Sequence, residues 1–600
     1  MKLLIKSNIE SQYDGCIEAA DRPDITGAAD VVKSAPDAAG TLVIIEEDGM
    51  RGYPRAFDAY KRKLRRDPYF RLIYGASFAV RGGMGGRVII IPKDQQGVTQ
   101  LYRLITKLYL EYYDEGPYMP ESLIDESGIT GDDSGLICIR ALSGEDGCSA
   151  LDVMELEYSV REPRPYPEGM YWPEVKDCEE TVTERAMKRA REIYGDPLPD
   201  EVMNRLQREL SIITRNGYSE IFAIAMLLTD KAREDGQPFG FRGLLGSSLA
   251  AMMLGITDVN PLPPHYYCPE CGVYENAEPA VYAETPYELP ARRCPCCGAE
   301  LKRDGYRIPM ETLFGLMGDR TPDINLNFTK KYRPAMIRLL EKTFEGRVFT
   351  GGTGANANAH PGALFILPEG HEIFEFTPLM REGNDKDGRL ITHLSTLGLD
   401  VPLLRVNVFG TDEMSRLREL WEITGIPACE TDPGADEVLD MITFPRHDTR
   451  GIPEFDNQFV EHIMATTEPR TVADLIRISG LAHGTGAWTG NAENLITSDT
   501  AYLNYVITTR EDIMNDLILI GMDDHEAYEI MSRVRKGRPL TEMQTSAMRE
   551  AGVPEWYINS CYSVQYVFPR AHTVSYALNS LRLAWYKAHY PKVFKALNKN

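Results

Sequence analysis

The stretch Pro322-Asp323-Ile324-Asn325-Leu326-Asn327-Phe328 alternates apolar residues with acidic and amide side chains. Because residues i and i+2 of a β-strand point to the same face, this pattern predicts a strand with Asp323 and Asn325 on one face. Two acidic side chains placed in this way are typical of enzymes that hold Mg²⁺ for phosphoryl transfer. Here the second side chain is an amide, so the stretch predicts such a site with one carboxylate missing.

The composition indicates a soluble protein with several domains. Its 600 residues exceed what one hydrophobic core holds, so we expect about three to five domains. Hydrophobic residues make up 43% of the chain and charged residues 26%, which is ordinary for a globular protein. The sequence has no apolar run of membrane-spanning length, and residues 1–6 are too short and polar for a signal peptide. We therefore expect a cytoplasmic protein without a membrane partner.

The charge of the chain is unevenly distributed. The net charge of −24 argues against indiscriminate nucleic-acid binding, which needs Lys and Arg to contact phosphates. Residues 530–600, however, contain 11 Lys and Arg against 3 Asp and Glu. A basic C-terminal region on an acidic body indicates polyanion binding in one place, and a solvated helical surface is the alternative.

The hydrophobic pattern predicts an α/β region followed by a mainly helical one. Short apolar strands at 42–45 and 87–91 alternate with helical stretches at 56–66 and 97–113. A Pro-rich linker follows near residue 166, and helices are predicted over 184–216 and 220–234. From residue 434 onward the pattern is mostly helical.

A Gly/Ser-rich loop at 240–248 precedes an apolar helix. Backbone amides and hydroxyls of such a loop, with Arg242, could cradle phosphates, whereas a tight structural turn is the alternative interpretation.

Two cysteine pairs predict a zinc site. Cys268-Pro269-Glu270-Cys271 and Cys294-Pro295-Cys296-Cys297 are CxxC knuckles separated by 22 residues, and each is followed by glycine. Four thiolates at this spacing supply the tetrahedral ligands of a structural zinc, because no position is left open for catalysis. The predicted ligands are Cys268, Cys271, Cys294 and Cys297, and Cys296 is a spare thiol that could compete. A disulfide framework is not expected, since the 11 cysteines are odd in number and lack a secretory context.

Several further motifs occur in a fixed order around these features. They are Gly195-Asp196-Pro197-Leu198-Pro199, Asn260-Pro261-Leu262-Pro263-Pro264-His265-Tyr266, Gly318-Asp319-Arg320-Thr321-Pro322-Asp323-Ile324, His360-Pro361-Gly362, Gly451-Ile452-Pro453-Glu454-Phe455, Ile478-Ser479-Gly480-Leu481-Ala482-His483-Gly484-Thr485, Trp488, Gly490-Asn491-Ala492, Val534-Arg535-Lys536-Gly537 and Phe568-Pro569-Arg570-Ala571-His572. In this order they resemble the PolC-type bacterial DNA polymerase III alpha subunit, a C-family DNA polymerase. The resemblance extends from about 184 to 595, and residues 1–165 resemble that family's PHP domain more loosely.

The resemblance implies an α/β multidomain architecture. We expect a degenerate PHP-like domain over 1–165, a linker over 166–183 and a nucleotidyltransferase-type palm over 184–433. The palm would carry a zinc ribbon at 266–305, and large helical fingers would occupy 434–600. By analogy, contacts with a dNTP or DNA fall on Arg242, Gly243, Ser247, Ser248, His360, His483, Arg510, Arg535, Lys536, Arg570 and His572. For any one of these residues alone, a surface cation or a helix cap is the alternative.

The predicted palm departs from the family at its metal-binding triad. The resemblance places the triad at Asp323, Asn325 and Asn407, so two of three carboxylates are amides. Polymerase chemistry uses two Mg²⁺ ions, and losing two charges from one site should slow it on the order of 10³-fold or more. Mg²⁺ binding is thus possible but weakened, unless Asp319 or Asp400 compensates.

The departures extend to the rest of the chain. The family's PHP metal ligands align with Lys6-Ser7-Asn8, Asp48-Gly49 and Ser77, which lack the expected histidines and acid. Only residues 350–359 stand where the family carries its thumb helices. The sequence also shows no recognisable exonuclease, duplex-binding or sliding-clamp segment.

We therefore hold three hypotheses. The first is a bacterial or phage pseudoenzyme that binds DNA, dNTP or a replication protein through its fingers, with a binding or regulatory role in DNA replication or repair. The second is a weakly active DNA-directed DNA polymerase that uses Asp323 with compensating ligands. The third is a structural interaction protein that binds no nucleic acid.

Overall fold

The structure of the protein is a computed structural model. It describes residues 2–6, 16–17, 28–35, 40–83, 85–126, 134–141, 153–277, 283–353, 357–395, 402–443 and 445–597. The chain forms two compact units: the first comprises Met1–Glu174 and Leu340–Val406, and the second comprises Val175–Leu339 and Asn407–Asn600. The sequence-based palm segment 184–433 is thus divided between the units, and the domain boundaries proposed above stay predictions.

The N-terminal part of the first unit alternates strands and helices. The strands are β1 (Lys2–Lys6), β2 (Cys16–Ile17), β3 (Thr41–Glu47), β4 (Arg71–Arg81), β5 (Arg87–Pro92), β6 (Tyr118–Pro120) and β7 (Leu136–Ala141). The helices are α1 (Ala28–Ser34), α2 (Tyr53–Leu64), α3 (Gln95–Glu111), α4 (Glu121–Glu126) and α5 (Val153–Ser159). The α/β prediction is confirmed here, including both strands and both helices that the apolar pattern marked.

These strands form one mixed sheet. Its order is β2-β1-β3-β4-β5-β7, and β6 pairs with β4. β1, β3 and β4 are parallel, whereas β5 runs antiparallel to β4 and β7. The middle residues of β3 and β5 are fully buried on both faces, which explains their unbroken apolar runs.

The first part of the second unit is helical and then strand-rich. Its elements are α6 (Cys178–Tyr194), α7 (Asp200–Arg215), α8 (Ser219–Glu234), β8 (Gly240–Phe241), α9 (Leu249–Met253), β9 (His265–Tyr267), β10 (Tyr274–Asn276), β11 (Lys302–Asp304), α10 (Glu311–Phe314), β12 (Ile324–Thr329) and α11 (Arg333–Thr343), whose last residues enter the first unit. The prediction of one helical stretch over 184–216 was wrong. Residues 195–199 separate α6 from α7, because their two prolines lack the N–H that a continuous helix needs.

The chain then returns to the first unit. Its strands are β13 (Val348–Gly352), β14 (Ala359–Ile366), β15 (Leu379–Arg381) and β16 (Leu390–Ser395). β13 and β14 pair antiparallel, so the short segment predicted to stand in place of thumb helices connects two paired strands. Strand β17 (Leu404–Thr411) passes into the second unit after Val406.

The remaining elements of the second unit are helices, as predicted. They are α12 (Asp412–Thr424), α13 (Asp436–Ile442), α14 (Gln458–Thr467), α15 (Val472–His483), α16 (Glu493–Thr497), α17 (Arg510–Ile520), α18 (Asp524–Val534), α19 (Glu542–Glu550), α20 (Glu555–Ser563), α21 (Arg570–His589) and α22 (Pro591–Leu597). Short 3₁₀ turns lie at Leu245–Ser247, Pro286–Glu288, Ile373–Glu375, Glu382–Asn384 and Ala428–Glu430, and a π turn lies at Trp488–Ala492. Within the described part of the chain, no helix combines the length and apolar character needed to cross a membrane.

A buried ion network joins the segment between the cysteine knuckles to the C-terminal helices. Arg477 of α15 donates to Glu284 Oε1 at 2.5 Å, and Arg570 of α21 donates to Glu284 Oε2 at 3.1 Å. Arg570 also donates to Asp512 Oδ1 of α17 at 3.2 Å. Each of the four side chains is at most 9% exposed. The network therefore fixes three helices and the knuckle segment against one another.

We predict that Glu284→Ala destabilises the protein by about 3–5 kcal/mol, because it leaves buried guanidinium groups without their carboxylate. Chemical denaturation at neutral pH measures the change. Glu555→Ala is the matched control, since Glu555 pairs with Arg549 on the surface and its loss should change stability little. Equal effects of the two substitutions would contradict the structural role of the network.

Candidate nucleotide-binding site

The strand that opened the sequence analysis is confirmed as β12. Its apolar residues are fully buried, and Asn325 and Asn327 point to the opposite face. Asp323 lies just before the strand and is exposed. Within the strand Asn327 shares the face of Asn325, and the placement of Asp323 on that face stays a prediction.

The two amides of the predicted triad contact each other directly. Asn407 of β17 donates its Nδ2 to Asn325 Oδ1 at 2.7 Å. Two carboxylates could not approach to this distance without a cation or a proton between them, whereas an amide pair satisfies itself. Asn407 Oδ1 is buried and has no hydrogen-bond partner in the described structure.

Arg242 covers this amide pair from the Gly/Ser loop. Its backbone N–H donates to the Asn325 carbonyl at 3.0 Å, and its Nε donates to Asn327 Oδ1 at 3.1 Å. Its guanidinium lies 4.2 Å from the ring centroid of Phe409. Gly243 follows with a φ of +82°, and a Cβ there would stand 3.3 Å from Asn325 Nδ2. The loop thus packs against the amide pair.

The serines of the loop do not face a ligand. Ser247 and Ser248 are both fully buried, and Ser248 Oγ donates to Glu209 Oε2 at 2.7 Å. The Glu209 carboxylate also accepts the first N–H groups of α9, from Leu249 at 3.0 Å and Ala250 at 2.9 Å. An internal carboxylate therefore fills the anion position that the Gly/Ser pattern predicted for a phosphate. We leave both serines out of the proposed binding set.

Three predicted cations converge with one that the sequence analysis missed. Arg510 begins α17, Arg535 and Lys536 follow α18, and Arg320 lies shortly before β12. Burial and the charges of Arg510 and Arg320 lower the pKa of Arg535 to about 10. The charge of Arg535 is the main cause that lowers the pKa of Lys536. These groups therefore repel one another. The sequence signal that could have identified Arg320 is its position three residues before Asp323.

The charge of Arg510 acts on both Arg320 and Arg535, and we call Arg320, Arg510, Arg535 and Lys536 the cation array. Arg510 is 5% exposed, and its Nε donates to Glu511 Oε1 at 3.2 Å. Its Nη2 is buried without a hydrogen-bond partner among the described residues. A buried guanidinium N–H without an acceptor is costly, which indicates a position for an anionic ligand atom.

The predicted histidines of the second unit lie in a row of rings beside the array. His483 stacks on Phe568 at 4.6 Å between centroids, and His572 lies 4.5 Å from the same ring. A hydrogen bond to Glu454 raises the pKa of His483. Burial, followed by the charge of Arg242, lowers the pKa of His572 to about 3, so it is neutral near pH 7. His572 is therefore not one of the cations.

Two other predicted residues have hydrogen-bond partners of their own. Arg570 is neutralised inside the ion network described above, so we also leave it out of the binding set. His360 belongs to the first unit, where its Nδ1 accepts the N–H of Ala363 at 2.9 Å. Asp319 is exposed, and Asp400 lies outside the described residues.

The predicted zinc ligands converge. Their four Sγ atoms lie within 4.8 Å of one another, which suits tetrahedral coordination of one zinc ion. Gly272 and Gly298 have positive φ values of +73° and +77°, and their N–H groups close the two knuckles. The three-stranded sheet β10-β9-β11 carries the site. In the described part of the chain this is the only such group of His, Cys, Asp and Glu side chains that could hold a metal.

We predict that Cys268→Ser removes about one zinc ion per chain and lowers the melting temperature, because a structural zinc site contributes folding free energy. Elemental analysis and thermal denaturation measure both effects. Cys296→Ser is the control, since Cys296 is exposed and outside the cluster. Equal zinc loss in the control would overturn the assignment of the four ligands.

The positions aligned with PHP metal ligands are bridged by an arginine. Arg87 donates Nε to Ser77 Oγ at 3.2 Å and Nη2 to Asp48 Oδ1 at 3.4 Å. Burial raises the pKa of Asp48, and Arg87 opposes this shift. A protein cation thus lies between the side chains at these positions. Ser7 and Asn8, which also belong to this alignment, fall outside the described residues.

Comparisons with known proteins agree on one family. The model of the bacterial DNA polymerase III alpha NTPase domain matches residues 180–355, and that of the alpha subunit finger domain matches residues 424–552. The DNA polymerase III PolC-type of Thermotoga petrophila is 38% identical over 490 residues, which are 73% of this chain and 36% of the relative. The PolC-type protein of Lacticaseibacillus paracasei is 38% identical over 486 residues, or 72% and 33%. The chain thus spans about a third of the length of the curated relatives it matches.

Proposed function

This chain belongs to the PolC-like relatives of bacterial DNA polymerase III, and from that premise we propose that it is an inactive relative that binds a nucleotide or DNA. The observation that carries the proposal is the hydrogen bond between Asn407 and Asn325 at 2.7 Å. The two amides occupy two of the three positions at which polymerase chemistry with two Mg²⁺ ions depends on carboxylates.

The triad positions do not fit a two-metal site. Mg²⁺ prefers anionic oxygen ligands in an octahedral shell and binds few protein groups, so each missing carboxylate matters. Asn325 Oδ1 already accepts a hydrogen bond, and of the three triad side chains only Asp323 is a carboxylate.

The cation array supports the binding of an anionic ligand. Arg320, Arg510 and Arg535 come from three separate segments. Burial is the largest cause that lowers the pKa values of Arg320 and Arg535, and the charge of Arg510 lowers both further. Stability alone does not favour such repulsion, whereas a polyphosphate or a DNA backbone would relieve it through charge-assisted hydrogen bonds. The adjacent rings of Phe568 and His483 offer a surface on which a base could stack.

We assign structural roles to the four-cysteine region and to the first unit. The four cysteines would hold zinc and support the segment that carries Glu284 into the ion network. The first unit would be a PHP-like domain whose metal ligands have been replaced, with Arg87 between Asp48 and Ser77. We place the protein in the cytoplasm, in DNA replication or repair.

We expect purified protein to show no primer extension with Mg²⁺ or Mn²⁺, because the palm lacks two ligand charges. A gel assay with a labelled primer–template measures this. Robust extension that Asp323→Ala abolishes would establish the weakly active polymerase instead.

We further expect Arg535→Ala to weaken dNTP binding on the order of tenfold, since a charge-assisted contact to phosphate is lost. Isothermal titration calorimetry at low salt measures the affinity. Arg549→Ala is the matched control, because Arg549 pairs with Glu555 on the surface and should bind as the unaltered protein does. Absence of dNTP and DNA binding in the unaltered protein would favour the structural interaction protein.

A further inference from the structure

Neither the amide pair nor the cation array favours a bound metal ion. Asn407 Nδ2 carries its N–H toward Asn325 Oδ1, so the polar hydrogens of an amide occupy the space between the two triad positions. Close by, the Arg242 guanidinium is held by Asn327 and by the face of Phe409. Protein hydrogens thus stand where the family's triad would present oxygen ligands to Mg²⁺.

The array supplies the positive charge that a metal would otherwise bring. Arg320, Arg510 and the adjacent Arg535 and Lys536 come from three segments, and Arg538 adds a further charge near Lys536. The groups with the strongest influence on Lys536 are all cations. Among the main influences on Arg320 and Arg535, Tyr528, Glu511 and Asp323 oppose these charges.

We propose that this site binds the metal-free triphosphate of a nucleotide, with arginine and lysine side chains in place of divalent ions. This inference rests on the proposed function, because it concerns the ligand of the same site. The buried Nη2 of Arg510 provides one fixed donor for a phosphate oxygen. Arg320 and Arg535 provide planar guanidinium groups that can each bind two phosphate oxygens.

The same geometry predicts that Mg²⁺ opposes binding. A Mg²⁺ ion on the β- and γ-phosphates covers the oxygens that the arginines need and reduces the negative charge of the ligand. The amide pair offers the ion no second anionic ligand in return. A DNA backbone would also be attracted by the array, but it lacks the dense terminal charge of a triphosphate.

The test is calorimetric titration of the whole protein with dATP, once with EDTA and once with millimolar Mg²⁺ at matched ionic strength. We expect affinity in EDTA to equal or exceed that in Mg²⁺, and inorganic triphosphate to compete with dATP. In EDTA, Arg535→Ala should weaken binding on the order of tenfold, and Arg549→Ala should leave it unchanged.

The outcomes separate the two proposals. Binding that needs Mg²⁺, or that is on the order of tenfold tighter with it, would overturn the metal-free inference and leave nucleotide binding intact. No binding in either condition would overturn both. Failure of inorganic triphosphate to compete would also overturn the inference, since it assigns recognition to the phosphates.

The double variant Asn325→Asp with Asn407→Asp tests the proposal by converting both amides to carboxylates. With two carboxylates at the triad positions, Mg²⁺ should raise both its melting temperature and its dATP affinity, whereas the unaltered protein should show neither gain. A Mg²⁺-dependent gain in melting temperature and dATP affinity of the unaltered protein would by itself contradict the proposal, and that measurement needs no folded variant.

Discussion

Glu284, Arg477, Asp512 and Arg570 meet inside the second unit, and the site depends on their pairing. A buried charge is stable only when it is paired and hydrogen-bonded, and here every charge has an opposite partner. Asp512 also accepts the N–H of Thr509 at 2.7 Å, which holds the first turn of α17. Because Arg510 stands in that turn, the network also fixes the position of Arg510 in the cation array.

Four arginines of the second unit fall into two groups with different surroundings. Arg477 and Arg570 are neutralised by buried carboxylates and serve the packing of helices. The pKa values of Arg320 and Arg535, in contrast, are lowered by burial and then by the charge of Arg510. Arg477 and Arg570 stabilise the fold, whereas Arg320 and Arg535 belong to the proposed binding site.

At the triad positions, and at the positions that the sequence analysis aligned with PHP metal ligands, hydrogen-bond donors of the protein stand in place of a metal ion. At the triad positions, a neutral amide donates to another amide, so the loss of anionic charge removes the need for a cation. In the first unit, Arg87 donates to Ser77 and Asp48, so a guanidinium stands between side chains that align with metal ligands. In each case hydrogen-bond donors of the protein satisfy oxygens that a metal ion could otherwise bind.

Much of the molecule followed from the sequence alone. Alternating apolar residues determined β12, paired CxxC motifs determined the cysteine cluster, and the ordered motifs determined the family, because each signal is local or keeps its order along the chain. The tertiary structure alone decided which of the predicted polar residues are paired within the protein. Glu209 fills the predicted phosphate position beside Ser248, and Glu284 neutralises Arg570 across 286 residues. Charge pairing is set by distance in space, so residues with the same sequence signal acquire different roles only when the chain has folded.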